Sequence, residues 1–287
     1  MNERREEIRR LIKETRSLPT LPGIITKMSA LVENDKTSIQ EIARLVSSDQ
    51  ILSAKVLKLV NSPFYGFPGR VSTVSNALIL LGVNVVKGLS LSASIFEMME
   101  KNVVGLWEHS LGTAVAASVI AKRIGAPEAE EISTAALLHD IGKVIVKIKF
   151  EEDYKRFESL VQDKEISMFE AERELLGADH AEIGGWLAKS WYLPEKLIEP
   201  IAYHHDVEKA TRHPLNTAIV HLADVLVKAG GFGFSGDNVV PLIQPAAWKK
   251  TGLTETQLEG IIDEIEDKLI DVKNLSLEIQ ATHDAPA

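Results

Sequence analysis

His139 and Asp140 stand side by side in "AALLHDIGKVIVKIK", residues 135–149, an apolar run that also carries Gly142 and Lys143. An ionised carboxylate is costly to bury without a partner, so Asp140 in such a run calls for positive charge close by. Other polar side chains sit in similarly apolar helical stretches: His109 in "LWEHSLGTAVAASVIAKRIG", His180 in "DHAEIGGWLAKSWYLP", His204 and His205 in "EKLIEPIAYHHD", and Asp224 in "NTAIVHLADVLVKAG". They make no compact motif such as H-E-x-x-H. A site that takes one ligand from each of several helices leaves only isolated polar positions on apolar faces. Imidazole with carboxylate is a ligand set for iron, manganese or zinc. An adjacent histidine pair can point at two ions, and an aspartate between them could bridge. The plain alternative is that any one of these histidines is a core residue bonded to a carbonyl. Lys143 falls one turn after Asp140 on about the same face. It is either an electrostatic clamp for a phosphate or a lysine that pairs with Asp140 or points to solvent.

The elements that must position these residues are helices. In "TSIQEIARLVSSDQILSAKVLKLVNSP" the three-four spacing of Ile39, Ile42 and Val46, then Ile51, Leu52, Val56 and Leu59, marks two amphipathic helices. Thr37 with Gln40, or Ser38 with Glu41, fits a capping box, and Asp49 suits the cap of the second helix. Residues 72–100 read as two helices bent near Gly82, and Gly125 closes the helix that carries His109. Residues 151–176 are charged and helical, and Pro194 divides the helices carrying His180 and His204. Gly112 and Gly184 would let helices approach closely. A last helix is expected over about 253–271, followed by a disordered tail. No run shows convincing strand alternation, so the fold class is all-α.

Composition narrows the chemistry. The 287 residues contain no cysteine, which excludes a disulfide framework, a thiolate metal site and a cysteine nucleophile. Apolar residues make up 45%, ample for a core, and the formal charge of −9 disfavours general nucleic-acid binding. "MNERREEIRRLIKETR" reads as a charged helix and not a secretory signal. "NALILLGVNVVKGLSLSASIFEMM" is interrupted by Asn84, Lys87, glycines and serines, which favours a buried helix pair over a membrane span. A cytoplasmic protein is the default expectation.

"LLHDIGK" resembles the signature of the HD superfamily of helical metal-dependent phosphohydrolases, in which a His, a His-Asp pair and a later Asp follow in order. His109, His139–Asp140 and Asp224 fit that order. His180 and His204–His205 match the additional metal ligands of the two-metal HD-GYP branch, whose members hydrolyse cyclic di-GMP. Two departures weaken that activity here. The branch has a Glu one turn before its first His, where this chain has Gly105. It also has a Gly-Tyr-Pro motif after the His-His pair, where this chain reads "HHDVEKATRHP". The N-terminal half, with "LPTLPGIITKMSALVEND", "IARLVSSDQILSAKVLKLVNSPFYGF" and "VSTVSNALILLGVNVVKGLSLS", resembles an HDOD domain from about residue 18 to at least 206. HDOD proteins are bacterial signalling proteins linked to motility, biofilm and stress regulation; many have lost the HD ligands and act as non-catalytic scaffolds.

The resemblance implies a two-lobed helical domain with an HD-superfamily core in the C-terminal lobe. The expected division is 1–100 for the N-terminal lobe, 101–230 for the metal-site lobe and 231–287 for a loop, helix and flexible tail. It implies metal ligands at His109, His139, Asp140, His180, His204, His205 and Asp224, and one or two divalent transition ions, iron or manganese ahead of zinc. The leading expectation is a regulatory protein that acts through a signalling protein partner. The alternative is a metal-dependent phosphohydrolase acting on a small phosphate ester or nucleotide, with Asp140 and Lys143 catalytic and His180 or His205 available for proton transfer. The "SPFYGFPG" loop, with Phe64, Tyr65 and Phe67, is a candidate contact surface. A helix-turn-helix reading of residues 38–60, with Gln50, Ser53, Lys55 and Lys58 facing DNA, is the weakest alternative; neither membrane nor nucleic acid is an expected partner.

Overall fold

The computed structural model describes residues 2–14, 27, 38–61 and 71–283. Among them there are helices and no strand. In order these are α1 (Asn2–Glu14), α2 (Ile39–Ser47), α3 (Gln50–Val60), α4 (Val74–Asn102), α5 (Leu106–Arg123), α6 (Ala129–Leu138), α7 (Ile141–Lys149), α8 (Glu151–Lys164), α9 (Met168–Leu176), α10 (His180–Ser190), α11 (Glu195–Tyr203), α12 (Pro214–Ala229), α13 (Pro245–Thr251) and α14 (Glu255–His283). A short 3-10 turn, Val207–Lys209, links α11 to α12.

The local signals act as their chemistry requires. Ser38 and Glu41 form the reciprocal capping box at α2, and the Asp49 carboxylate accepts from the Leu52 N–H at the start of α3. Gly82 takes φ 81° and kinks α4, a conformation open to glycine at little cost. Gly125, at φ 67°, follows α5. α4 contains the stretch Val74–Phe96, apolar and long enough to cross a membrane; 67% of its most apolar window is buried inside the protein.

Two features depart from the sequence reading. α14 runs on to His283, so residues 275–283 are helical where a disordered tail was expected; between Gly260 and Pro286 the sequence holds no glycine or proline to stop the helix. Lys55, one of the four residues that the helix-turn-helix reading turns toward DNA, is instead buried, with its ammonium 5.1 Å from the Phe96 ring centroid. The "SPFYGFPG" loop lies outside the described residues.

α5 is the central strut. It is buried over nearly its whole length and packs against α6, α12 and α14. α6, α11 and α12 pack on one another around it, and α10 lies against α7 and α11. α4 packs on α2 and α3 on one side and on α6 and α7 on the other. α1 lies along α10, with Ile8 and Ile12 buried and Arg5 paired with Glu182.

Candidate metal centre

The centre is assembled from helix ends. His139 is the C-terminal cap of α6 and Asp140 the N-terminal cap of α7, so the pair sits on the corner between two helices. Asp179 caps α10 and presents His180 in its first turn. His204 and His205 follow the end of α11. His109 lies in the first turn of α5, and Asp224 in the middle of α12. The approach of α7 to α10 depends on Gly142, where a Cβ would overlap the carbonyl of His180. Gly184 serves the same contact: its own Cβ would lie 3.4 Å from the Gly142 nitrogen.

All seven expected ligands converge. The donor atoms of His109, His139 and Asp224 lie within 4.8 Å of one another, as do those of His180, His204 and His205, and those of His139, Asp140 and His204. Asp140 stands between the two groups. Its Oδ2 is 3.4 Å from His139 Nε2 and 3.7 Å from His109 Nε2, whereas its Oδ1 is 3.1 Å from His180 Nε2 and 3.8 Å from His204 Nε2. Asp224 Oδ1 closes the first group at 3.0 Å from His109 Nε2 and 3.6 Å from His139 Nε2. His205 Nε2 closes the second at 2.9 Å from His180 Nε2.

The hydrogen bonds behind the rings point their donor atoms inward. The Nδ1–H of His139 donates to Ala136 O at 2.6 Å, that of His204 to Ile201 O at 2.9 Å, and that of His180 to Glu172 Oε2 at 2.7 Å. In its neutral form each ring then carries its lone pair on Nε2. His139 Nε2, His204 Nε2 and Asp140 Oδ1 are fully buried and lack a hydrogen-bond partner. Buried polar groups are seldom left so, and three of them facing one spot, made of imidazole and carboxylate donors, fit a divalent transition ion.

Charge follows the geometry. Burial pushes Asp140 and Asp224 up, but their neighbours outweigh it: the charges of His139 and Lys143 for Asp140, and hydrogen bonds from His109 and His139 for Asp224. Both carboxyls are held well below the usual range. Burial pushes His139 down, but the charges of Asp140 and Asp224 outweigh it and raise it to about 10. Burial drives His204 and His205 well below the usual histidine value, so both are neutral and able to ligate. Lys143 is buried, with Nζ 2.6 Å from Asp140 Oδ2. Its two sequence readings are therefore not exclusive, because the ion-pair partner of Asp140 is also a cation at the edge of the centre.

Two residues the sequence reading missed complete the shell. Glu172 is buried under His180. His221 is buried behind His204: its Nδ1 bonds His204 O at 2.7 Å and its Nε2 accepts from the Gln244 N–H at 3.0 Å. His221 lies one turn before Asp224 in the same apolar helix, a signal the sequence did offer. Gly105, where the HD-GYP pattern has Glu, takes φ 85° at the head of α5. Its carbonyl accepts from the Phe234 N–H, and a Cβ there would lie 3.0 Å from the Phe234 backbone. The loop after α12 thus fills the place of the missing side chain.

A family model described as the HDOD domain matches residues 18–207. The chain belongs to the HDOD family. A crystal structure of an HDOD domain protein from Geobacter sulfurreducens is 28% identical, with TM-score 0.70 over 96% of this chain and 98% of that one. A candidate signal transduction protein from Marinobacter aquaeolei shares the fold at 22% identity and TM-score 0.71, over 93% of this chain and 61% of its own. An uncharacterised protein of Treponema pallidum is 27% identical over 197 residues; these are 67% of this HDOD chain and 38% of that relative's length. The family match ends at 207, so Asp224, His221 and the Phe234 loop all belong to the part of the chain beyond it.

Proposed function

We propose that this HDOD chain is a signal-transduction protein built around an intact metal centre that holds two divalent transition ions, iron or manganese in preference to zinc. The observation that carries this reading is the convergence of seven donor residues, six of them grouped on either side of Asp140, with His139, His204 and Asp140 each holding a buried atom without a hydrogen-bond partner. His109, His139, Asp224 and Asp140 Oδ2 would hold one ion, and His180, His204, His205 and Asp140 Oδ1 the other. Signalling is supported by the family resemblance and by the description of the Marinobacter protein of the same fold; the partner is then another signalling protein.

A second reading, hydrolysis of a phosphate ester, is favoured by Lys143. Its ammonium lies against the bridging carboxylate, where it can meet phosphate charge. Ions in the centre would supply a more acidic water and a polarised phosphoryl oxygen. Asp140 holds the two groups of donors together, and His205 is the least buried of the seven. Without a Gly-Tyr-Pro motif, a small phosphate ester or nucleotide suits the site better than a cyclic dinucleotide.

Elemental analysis of anaerobically purified protein tests the metal centre; one to two equivalents are expected, and less than a tenth of an equivalent of any transition metal rejects it. Turnover of a generic phosphodiester and of nucleotides by manganese- or iron-loaded protein then separates the two readings. Activity that persists undiminished in Asp140→Ala belongs to a contaminant. Metal without turnover leaves the signalling reading, with a structural or sensory centre.

A further inference from the structure

Glu172 is a fully buried carboxylate beside the centre that has no place in the expected ligand set. Its Oε2 accepts two hydrogen bonds from one residue, from the backbone N–H of His180 at 2.7 Å and from the His180 Nδ1–H at 2.7 Å. One bond fixes where α10 begins and the other fixes how the ring is turned. The only ring atom left to act is Nε2, which faces Asp140 Oδ1 at 3.1 Å and His205 Nε2 at 2.9 Å. We propose that Glu172 is a positioning residue of the metal centre, which holds His180 in its ligating tautomer and supplies negative charge to the His180, His204, His205 half. The proposal rests on the metal-centre reading above.

The two halves differ in charge. The first contains Asp224 and shares Asp140; the second has three imidazoles and only its share of Asp140. A dication in the second half would be short of negative charge unless a carboxylate stood behind it. Glu172 stands there. His139 and His204 are backed at Nδ1 by neutral carbonyls, so the carboxylate behind His180 is a difference in kind. A carboxylate in that position makes the ring a stronger donor. The second oxygen supports the same assignment, because Oε1 is buried with no hydrogen-bond partner. A polar side chain kept only to brace two helices would be expected to satisfy both oxygens. The chain also fixes the approach from outside: Gly177, at φ 74°, caps the end of α9, and Arg173 bonds Asp179 at 2.6 Å, so the turn that brings Glu172 under His180 is tied shut.

The test is manganese binding by metal-free wild type, E172A, E172Q and H205A, measured by equilibrium dialysis with elemental analysis, together with 15N NMR of the histidine rings in the metal-free proteins. E172A is expected to lose affinity for one ion by about ten- to a hundredfold, as H205A does, and to keep the other. E172Q can retain both hydrogen bonds through its carbonyl oxygen, so it should recover the protected Nδ1–H resonance of His180 and part of the affinity. Wild-type stoichiometry and affinity in E172A overturn the proposal and leave Glu172 a structural brace. If E172A does not fold, E172D decides with E172Q: the shorter side chain cannot reach both donors, so metal binding by E172D equal to wild type overturns it. A wild-type protein that takes up no manganese rejects the metal-centre reading itself and this proposal with it, whereas normal wild-type binding with unaffected variants rejects the proposal alone.

Discussion

At the scale of single residues, Asp140 decides most. One oxygen faces each group of histidines, so Asp140→Ala should empty both halves of the centre; elemental analysis retaining one full equivalent would show that the carboxylate does not bridge. His139 sets the pH dependence. Its folded value of about 10 lies above the ordinary 6.5, so its attraction to Asp140 and Asp224 stabilises the metal-free fold fully below pH 6.5 and is lost as pH rises through 10. At neutral pH this proton must leave before Nε2 can ligate. Metal uptake is therefore expected to release about one proton, and apparent affinity to climb roughly tenfold per pH unit between about 7 and 9. Calorimetry in buffers of different ionisation enthalpy reads that proton directly; a heat independent of buffer contradicts it. The seven expected ligands stood out in the sequence as polar residues in apolar helical stretches, and the resemblance to the HD pattern joined them into one set. Glu172 did not stand out, since it lies in "MFEAERELL", where one glutamate among several looks like a solvated surface and only the fold buries it.

At the scale of elements, the helices were legible from their spacing and caps, while the contacts that aim them were not. Gly142 lies inside "LLHDIGK", yet nothing in that string says that the backbone of α10 crosses it. Gly142→Ala should push α7 from α10, lowering stability by about 1–3 kcal/mol and weakening metal binding by separating Asp140 from His180. Lys87 is a contact of another kind. It is buried on α4 and donates to Trp191 O and Tyr192 O, both at 2.8 Å, where α10 ends. A cation from one helix thus caps the negative end of another. Burial lowers its ammonium from 10.5 to about 8. The unfolded chain holds this proton more tightly, so burying the ammonium costs stability that is present in full below pH 8 and relieved as pH rises from 8 to 10.5, a difference of roughly 3 kcal/mol. Denaturant titrations at pH 7 and 10 should show wild type gaining on Lys87→Met over this interval. An equal pH response in the two proteins would place the lysine in contact with water.

At the scale of the whole molecule, the expected boundary between residues 100 and 101 falls inside the last turn of α4, just before the head of α5. Around it Phe96, Met99, Val103, Leu106 and Trp107 are all buried, and Phe96 meets Trp107 edge to face at 4.9 Å. α4 is core to both sides, packed on α2 and α3 and also on α6 and α7. α14, from the far end of the chain, packs on α5 and on α3. A boundary that is easily cut needs exposed backbone with few contacts across it; the turn at 103–105 does expose Val104, but the buried residues on either side of it pack across the boundary. The two lobes should therefore unfold together, although every ligand lies at residue 109 or later. Ions that bind only the native protein stabilise whatever unfolds with their site, by about 3 kcal/mol at a free concentration a hundredfold above Kd. Chelation should then lower the melting temperature of the entire chain in one step. Calorimetry combined with hydrogen exchange on α2 and α3, which contain no ligand, provides the measurement. If those helices melt separately and at the same temperature with and without metal, the N-terminal lobe is an independent unit and a signal at the metal centre has no thermodynamic route to it. If they follow the metal, any partner that grips α2 or α3 is coupled to the occupancy of His109, Asp140 and His180 through the folding equilibrium itself.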